Sequence, residues 1–358
     1  FSKWIARVLF TRIHTTPAHY RDFTRSHSLY LQPSRMVAPS AAAPDAGVAV
    51  SSLPSRQRQL INSLTRRLRH RLITAATTLE IFHPKGHRLG DFHERYVLEG
   101  EIGRGGFGVV YAARRISDRH PVAVKIVEKA GVLKWKRVAA DVFIPSEVAH
   151  LQTAAGVPGV IGLLDWYTSR DDVVLVLERP TDACDLFSLL QKNGALDETA
   201  ARRVFRQVVD TVCALHDEHG IVHRDIKDEN VLLSTASGTV HLIDFGAAKR
   251  VHKAAQSRDD FQGTRSYCPP EHFRREKYKP VEATVWQLGV LLYVLCTGQL
   301  PFKSELEVCL GYIRFPPTLS KDVCNLIKSC LSTMPSARAS LHAIQTHSWL
   351  RASDEEDH

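Results

Sequence analysis

Disulfide and zinc chemistry find little footing in this sequence. Its 7 cysteines are odd in number, all fall between Cys184 and Cys330, and no two are spaced Cys-x-x-Cys. A reducing, intracellular setting is the expectation. Long hydrophobic runs are missing as well. The longest, Val285 to Cys296, is interrupted by Gln287 and Gly289 and falls short of the roughly 18 apolar residues that a membrane-spanning helix needs. It reads as a buried helix, and no transmembrane segment is expected. Methionine is scarce, with 2 residues and the first at Met36, so residues 1–35 read as an internal fragment or as upstream translation. Acidic residues are scarce over positions 1–90, where 3 face 14 Lys and Arg; the remainder carries 35 against 33. The net charge of +9 therefore belongs to the N-terminal segment, whose Arg-rich start also fits a mitochondrial presequence.

What is present is a composition of 44% hydrophobic and 24% charged residues over 358 positions, enough for one large domain or two ordinary ones. Residues 1–90 show no sustained strand alternation, and a Pro/Ala/Ser-rich stretch from Pro39 to Pro54 resembles a disordered linker. Within residues 56–73, Leu60, Leu64, Leu68 and Leu72 recur among Arg66, Arg67, Arg69 and Arg71. That pattern predicts a basic amphipathic helix, either merely solvated or facing an acidic partner or lipid surface. His83 and His87 are spaced as ligands on a helix would be, but Pro84 and Gly86 argue against that helix and so against a metal site.

From Tyr96 the runs YVLEGEIG, GVVYAAR, PVAVKIV and DVVLVLE predict a sheet, and after Pro180 the signals turn helical. Ala201, Val204, Phe205, Val208, Val212 and Leu215 follow a helical period that stops near Gly220. The expected fold class is α+β: a strand-rich lobe (about 91–178), a helical lobe (about 181–351), a cleft between them, and an acidic tail at 352–358.

Gly103, Gly105 and Gly108 lie in GRGGFGVV between two predicted strands, where glycine lets a backbone approach phosphates. A strand rather than a helix follows, which argues against a Rossmann dinucleotide site. Lys125, in VAVK, shares a strand face with Ala123. Its expected partner is Glu147, on a helix introduced by Pro145 and backed by Val148 and Leu151; the pair would hold the ammonium against α- and β-phosphates. The densest signal is HRDIKDEN, residues 223–230, followed by an apolar strand. There Asp225 would accept the proton of a substrate hydroxyl, Lys227 would neutralise charge on a γ-phosphate, and Asn230 would bind Mg2+. Asp244, in Asp244-Phe245-Gly246, supplies a second hard oxygen ligand for that ion.

In this order and spacing these motifs resemble eukaryotic protein kinases across residues 96–350, with Pro269-Pro270-Glu271 where the family has Ala-Pro-Glu and Arg338 where it has the arginine that pairs with that glutamate. Within that family the sequence is most similar to the Pim group of Ser/Thr kinases, through LERP (177–180), GVIGLLDW (159–166), HRDIKDEN and GTRSYCPPE (263–271). The resemblance implies a bilobal kinase fold with ATP and Mg2+ in the cleft. It makes Leu177 the gatekeeper, the Glu178 carbonyl the acceptor for the adenine amino group, and Val110, Ala123, Leu232 and Ile243 the apolar walls around the base. Pro180 has no N–H to offer the ring, so one adenine hydrogen bond, worth about 1 kcal/mol, is expected to be missing.

The resemblance further implies that Asp185, Asp228 and Glu229 bind basic residues upstream of a target Ser or Thr, with Ser188 replacing an acidic residue of the Pim pattern. Thr264 would bridge Asp225 and Lys227. Arg224 implies a loop phosphate, yet Ser257 is the only hydroxyl between Gly246 and Gly263; Asp259 or Asp260 is expected to stand in, giving activity without loop phosphorylation. Thr284 occupies the position where most kinases anchor the catalytic loop with an aspartate, and the Pim group resembles this chain in lacking that aspartate. The expected partners are protein substrates, with no nucleic acid, in a monomer of the cytoplasm or nucleus. The rival reading is a pseudokinase or scaffold, whose usual sign is loss of the Lys, Asp or Asn that are all present here.

Overall fold

The computed structural model describes residues 87–88, 91–105, 108–139, 142–251, 263–277 and 279–352, all of them in residues 53–358, the second of two units into which the chain divides. The N-terminal lobe is built on a six-stranded sheet, ordered β1-β7-β8-β4-β3-β2. Its strands are β1 (His87–Arg88), β2 (Tyr96–Gly105), β3 (Gly108–Arg115), β4 (Pro121–Glu128), β7 (Leu163–Thr168) and β8 (Asp172–Glu178). All neighbours are antiparallel except β1, which joins β7 in parallel. His87 and Arg88 form an edge strand of this sheet and not part of a helix.

Period-two alternation gives this sheet two different faces. Val122, Val124, Val174 and Val176 point outward under a small aromatic cluster. There Phe92, on the short helix α1 (Phe92–Arg95), meets Tyr96 and Tyr167 at centroid distances of 5.5 and 5.4 Å. Ala123, Leu175 and Leu177 point inward, onto the main core. A hairpin of β5 (Trp135–Ala139) and β6 (Val142–Pro145) leads into α2 (Ser146–Thr153). Pro145 stands at the N-cap position of that helix, without a side-chain capping bond, and Val148 and Leu151 are buried against the sheet.

The C-terminal lobe carries α3 (Leu186–Asn193), α4 (Glu198–Asp217), α5 (Pro270–Phe273), α6 (Pro280–Thr297), α7 (Glu305–Leu310), α8 (Lys321–Cys330), α9 (Leu341–Gln345) and α10 (Ser348–Arg351). Every residue of the period expected for α4 is buried, and the Asp197 carboxylate caps its start by accepting from the Ala200 N–H. Two small sheets face the other lobe: β9 (Ala183–Asp185), β11 (Val231–Ser234) and β12 (Val240–Leu242) in one, β10 (Ile221–Val222) and β13 (Lys249–Arg250) in the other. The apolar run that reads as a buried helix is α6. It is the only described helix long and apolar enough to cross a membrane, and 83% of it is buried inside the protein. Its glycine has a packing reason: a Cβ at Gly289 would lie 2.6 Å from Cys330 Cβ and 2.9 Å from Leu331, on and just beyond α8.

Candidate active site

The sheet register sets the upper wall of the cleft. Ala123 stands opposite Leu177, and Lys125 stands between Val110 and Leu175, so all of them share the inner face. Lys125 Nζ lies 2.6 Å from Glu147 Oε1 and 2.9 Å from Asp244 Oδ1. Burial alone would favour loss of the lysine proton, but the two carboxylates outweigh it and hold its pKa above the ordinary value. Asp244 is also desolvated, yet Lys125 and the Gly246 N–H, 3.2 Å away, bring its carboxyl below the usual range. The turn that delivers it is strained, with Asp244 in the left-handed region at φ 63°.

The lower wall is the loop after β10. His223 is buried and neutral, so its Nε2–H donates to the Ile243 carbonyl at 3.0 Å while Nδ1 accepts from the Asp225 N–H at 3.4 Å. Its ring packs edge-on against Phe245 at 4.8 Å. Asp225 Oδ1 accepts from both the N–H and the hydroxyl of Thr264, each at 2.8 Å, and its Oδ2 accepts from Asn230 Nδ2 at 3.0 Å. The same Asn230 nitrogen reaches the Asp225 carbonyl at 2.8 Å, which leaves the amide oxygen as the metal donor. Thr264 thus holds Asp225 as expected. Its hydroxyl bonds to Asp225 and not to Lys227, which instead pairs with Glu229 at 2.5 Å and with Asp225 at 3.7 Å.

The three carboxylates expected to receive substrate differ in their surroundings. Glu229 is exposed, although Lys227 leans on it. Asp185 caps α3, with one oxygen accepting the Ser188 N–H at 2.7 Å and the other its hydroxyl at 2.8 Å. Asp228 is the most enclosed of the three. Its side chain is buried beneath Tyr267, whose hydroxyl donates to Oδ1 at 3.0 Å, and burial pushes its carboxyl up. That bond ties the 223–230 loop to the turn at 265–267.

Two features fit a nucleotide with Mg2+. Gly108 is required by the fold, since its φ is 125° and a Cβ would sit 2.2 Å from the Ile126 carbonyl oxygen. A Cβ at Gly105 would meet nothing within 4 Å, and one at Gly103 only Val110 at an ordinary 3.9 Å. Packing does not demand glycine there, whereas an approaching phosphate does. Asn230 and Asp244 are hard oxygen donors. No described cluster of three or more His, Cys, Asp or Glu could hold a metal ion alone, so further ligands would come from phosphate and water, the usual habit of Mg2+. Val110, Leu232 and Ile243 are half-buried and Ala123 is 9% exposed, as walls open to a ligand would be. Glu178 ends β8, where its side chain accepts the Gly162 N–H at 3.0 Å.

Beneath the site, Glu271 and Arg338 form a fully buried two-pronged pair at 2.8 and 2.6 Å, with the guanidinium 5.0 Å above the Trp286 ring. Gln287 was legible in the sequence only as a blemish in an apolar run. Ser257, Asp259, Asp260, His83 and residues 56–73 lie outside the described residues.

A lysine held by a helix glutamate, an aspartate clamped by threonine and asparagine, and a second aspartate aimed at the same lysine together define a phosphotransfer site. The family profile of the protein kinase domain matches residues 96–350, and the chain belongs to the protein kinase family. Relatives named serine/threonine-protein kinases match most of this chain. It is 43% identical over 266 residues to the serine/threonine-protein kinase prk-2 of Caenorhabditis elegans, covering 73% of this chain and 59% of that one. It is 39% identical over 284 residues to the serine/threonine-protein kinase pim-2 of Danio rerio, covering 77% of this chain and 90% of that one. A PAS domain-containing serine/threonine-protein kinase of Mus musculus is 33% identical over 270 residues, 73% of this chain but 19% of that protein. The Pim resemblance read from LERP and HRDIKDEN agrees with these relatives.

Proposed function

We propose that the chain transfers the γ-phosphoryl of ATP, as its Mg2+ complex, to Ser or Thr of proteins with basic residues upstream of the acceptor, and does so without a loop phosphate. The assembled cluster of Lys125, Glu147, Asp244 and Asp225 carries this reading. Lys125 orients the α- and β-phosphates, Asp225 takes the hydroxyl proton as the acceptor oxygen attacks, and Lys227 offsets charge on the transferred group. The metal, held by Asn230 and Asp244, neutralises the phosphates. Thr264 already grips Asp225 twice, which supports activity as synthesised, and Asp259 or Asp260 would supply the charge that Arg224 calls for. The protein works as a monomer of the cytoplasm or nucleus, where its seven free cysteines are at home.

We place basic selectivity mainly on Glu229, the one exposed carboxylate of the three, where an incoming arginine would compete with Lys227. Glu229→Gln should therefore raise KM for an Arg-containing Ser peptide several-fold, about 1 kcal/mol for an exposed ion pair, and leave KM for ATP alone. Peptide kinetics with single upstream Arg→Ala changes would check this; equal KM for variant and parent would count against Glu229. Ser257→Ala should keep most of the activity, and loss of it would remove the loop-independent part of the reading.

A further inference from the structure

The peptide groups on either side of Asp225 are both tied to one side chain. Gln287 Nε2 donates to the Arg224 carbonyl at 2.8 Å, and Gln287 Oε1 accepts from the Ile226 N–H at 3.4 Å. The Arg224 carbonyl belongs to the peptide that enters Asp225 and the Ile226 N–H to the peptide that leaves it, so a single amide grips the backbone before and after the residue. The remaining groups of those two peptides are also held: the Asp225 N–H by His223 and the Asp225 carbonyl by Asn230. Arg224 needs such a grip, because it lies in the left-handed region at φ 72°, which a non-glycine residue does not occupy unaided.

Gln287 itself has no freedom. It is 1% exposed, and its neighbours Trp286 and Leu288 on α6 are fully buried. A buried primary amide is costly unless both ends are bonded, and here both are. Thr284, where an aspartate would be expected to anchor this loop, does not do so: its hydroxyl turns back to the Pro280 carbonyl of its own helix at 2.9 Å.

We propose that Gln287 is the positioning residue for Asp225, taking over from α6 the loop-anchoring task that position 284 does not perform in this chain. The inference rests on the kinase reading of Asp225. Its effect is confined to the geometry of proton acceptance, because Lys125, Glu147 and the β8 edge draw nothing from Gln287. Loss of the amide lets the Arg224–Ile226 backbone relax and moves the Asp225 carboxylate away from the acceptor hydroxyl, a displacement that slows the chemical step without weakening nucleotide binding.

The test compares Gln287→Met, which keeps the length of the side chain but offers no hydrogen bond, and Gln287→Glu, which keeps the acceptor and loses the donor, with Thr284→Val. All are made in the full chain, with steady-state kinetics, thermal melting and direct ADP binding. The expected result is a fall in kcat of about tenfold or more for both Gln287 variants, with KM for ATP and ADP affinity within about twofold of the parent. Thr284→Val should keep the parent kcat. A folded Gln287→Met with parent-like kcat would overturn the proposal, as would a loss of kcat matched by a loss of ADP affinity. If Gln287→Met fails to fold, Gln287→Glu decides by the same criterion, and failure of both to fold would make the amide a need of the helix alone and overturn the positioning role. A parent without phosphotransfer would instead strike the kinase reading itself.

Discussion

Lys125 shares one positive charge between two carboxylates, and that arrangement decides which protons the site keeps. The ammonium remains charged throughout the physiological range because Glu147 and Asp244 both lie within hydrogen-bond distance. His150, one turn beyond Glu147 on α2, is in the opposite position. It is buried, faces Lys134, Lys136, Arg250 and His223, and has no partner for Nδ1 among the described residues, so its pKa falls to about 4. Between about 6.5 and 4 the unfolded chain binds a proton that the folded one refuses, so stability drops as the solution is acidified. The loss from this one group reaches about 3 kcal/mol at the acid end. His150→Gln should flatten that limb in urea melts taken at a series of pH values, and an acid limb as steep as the parent's would refute the assignment.

The same scale shows why the substrate carboxylates were hard to sort from sequence. Asp185, Asp228 and Glu229 carry the same charge, and what separates them is a neighbour. For Asp228 that neighbour is Tyr267, 39 residues further on, which lies over it. For Asp185 it is Ser188, whose N–H and hydroxyl both donate to the carboxylate at the start of α3. The residues of HRDIKDEN and Asp-Phe-Gly were legible because their chemistry requires fixed types at fixed spacing, whereas the exposure of a carboxylate is set by tertiary contacts that leave no local trace.

Among the elements, α4 was readable because it has a single periodic pattern and one buried face, and β4 because it is a short apolar run, buried on both faces of the sheet. The edge strand β1 was not: at two residues it is too short to show any period. Helix α6 is the instructive case, since its two interruptions have different causes. Gly289 lets α8 approach, and Gln287 reaches the catalytic loop. Alanine at a helix glycine ordinarily stabilises by up to about 1 kcal/mol. At Gly289 the added methyl would meet Cys330 Cβ at 2.6 Å and side-chain atoms of Leu331 at 2.9 Å, and overpacking of that kind costs about 1–3 kcal/mol. Overpacking should win. Gly289→Ala is expected to lower the Tm by several degrees in calorimetry, and a Tm equal to or above the parent's would show that α8 yields without strain.

Across the molecule, one apolar core runs from the inner face of the sheet through α2 into α4, α6 and α8, and the site takes its parts from both ends of it. Lys125 and Glu147 come from the N-terminal lobe; Asp225, Asn230, Asp244 and Thr264 come from the C-terminal lobe. Chemistry therefore depends on the lobes being held in register, which the Lys125–Asp244 contact does directly at 2.9 Å. The α+β division and its cleft were legible from the switch of period near Pro180, while the long-range ties, such as Gln287 to a loop 61 residues before it, were not. The measurement that bears most directly on this account is transfer of phosphate from ATP-Mg to an Arg-rich Ser peptide and to its Tyr counterpart, by the full chain and by Asp244→Asn. The account predicts transfer to Ser, little to Tyr, and loss of activity in the variant at an unchanged fold. A folded, nucleotide-binding parent that transfers no more than the variant would contradict it.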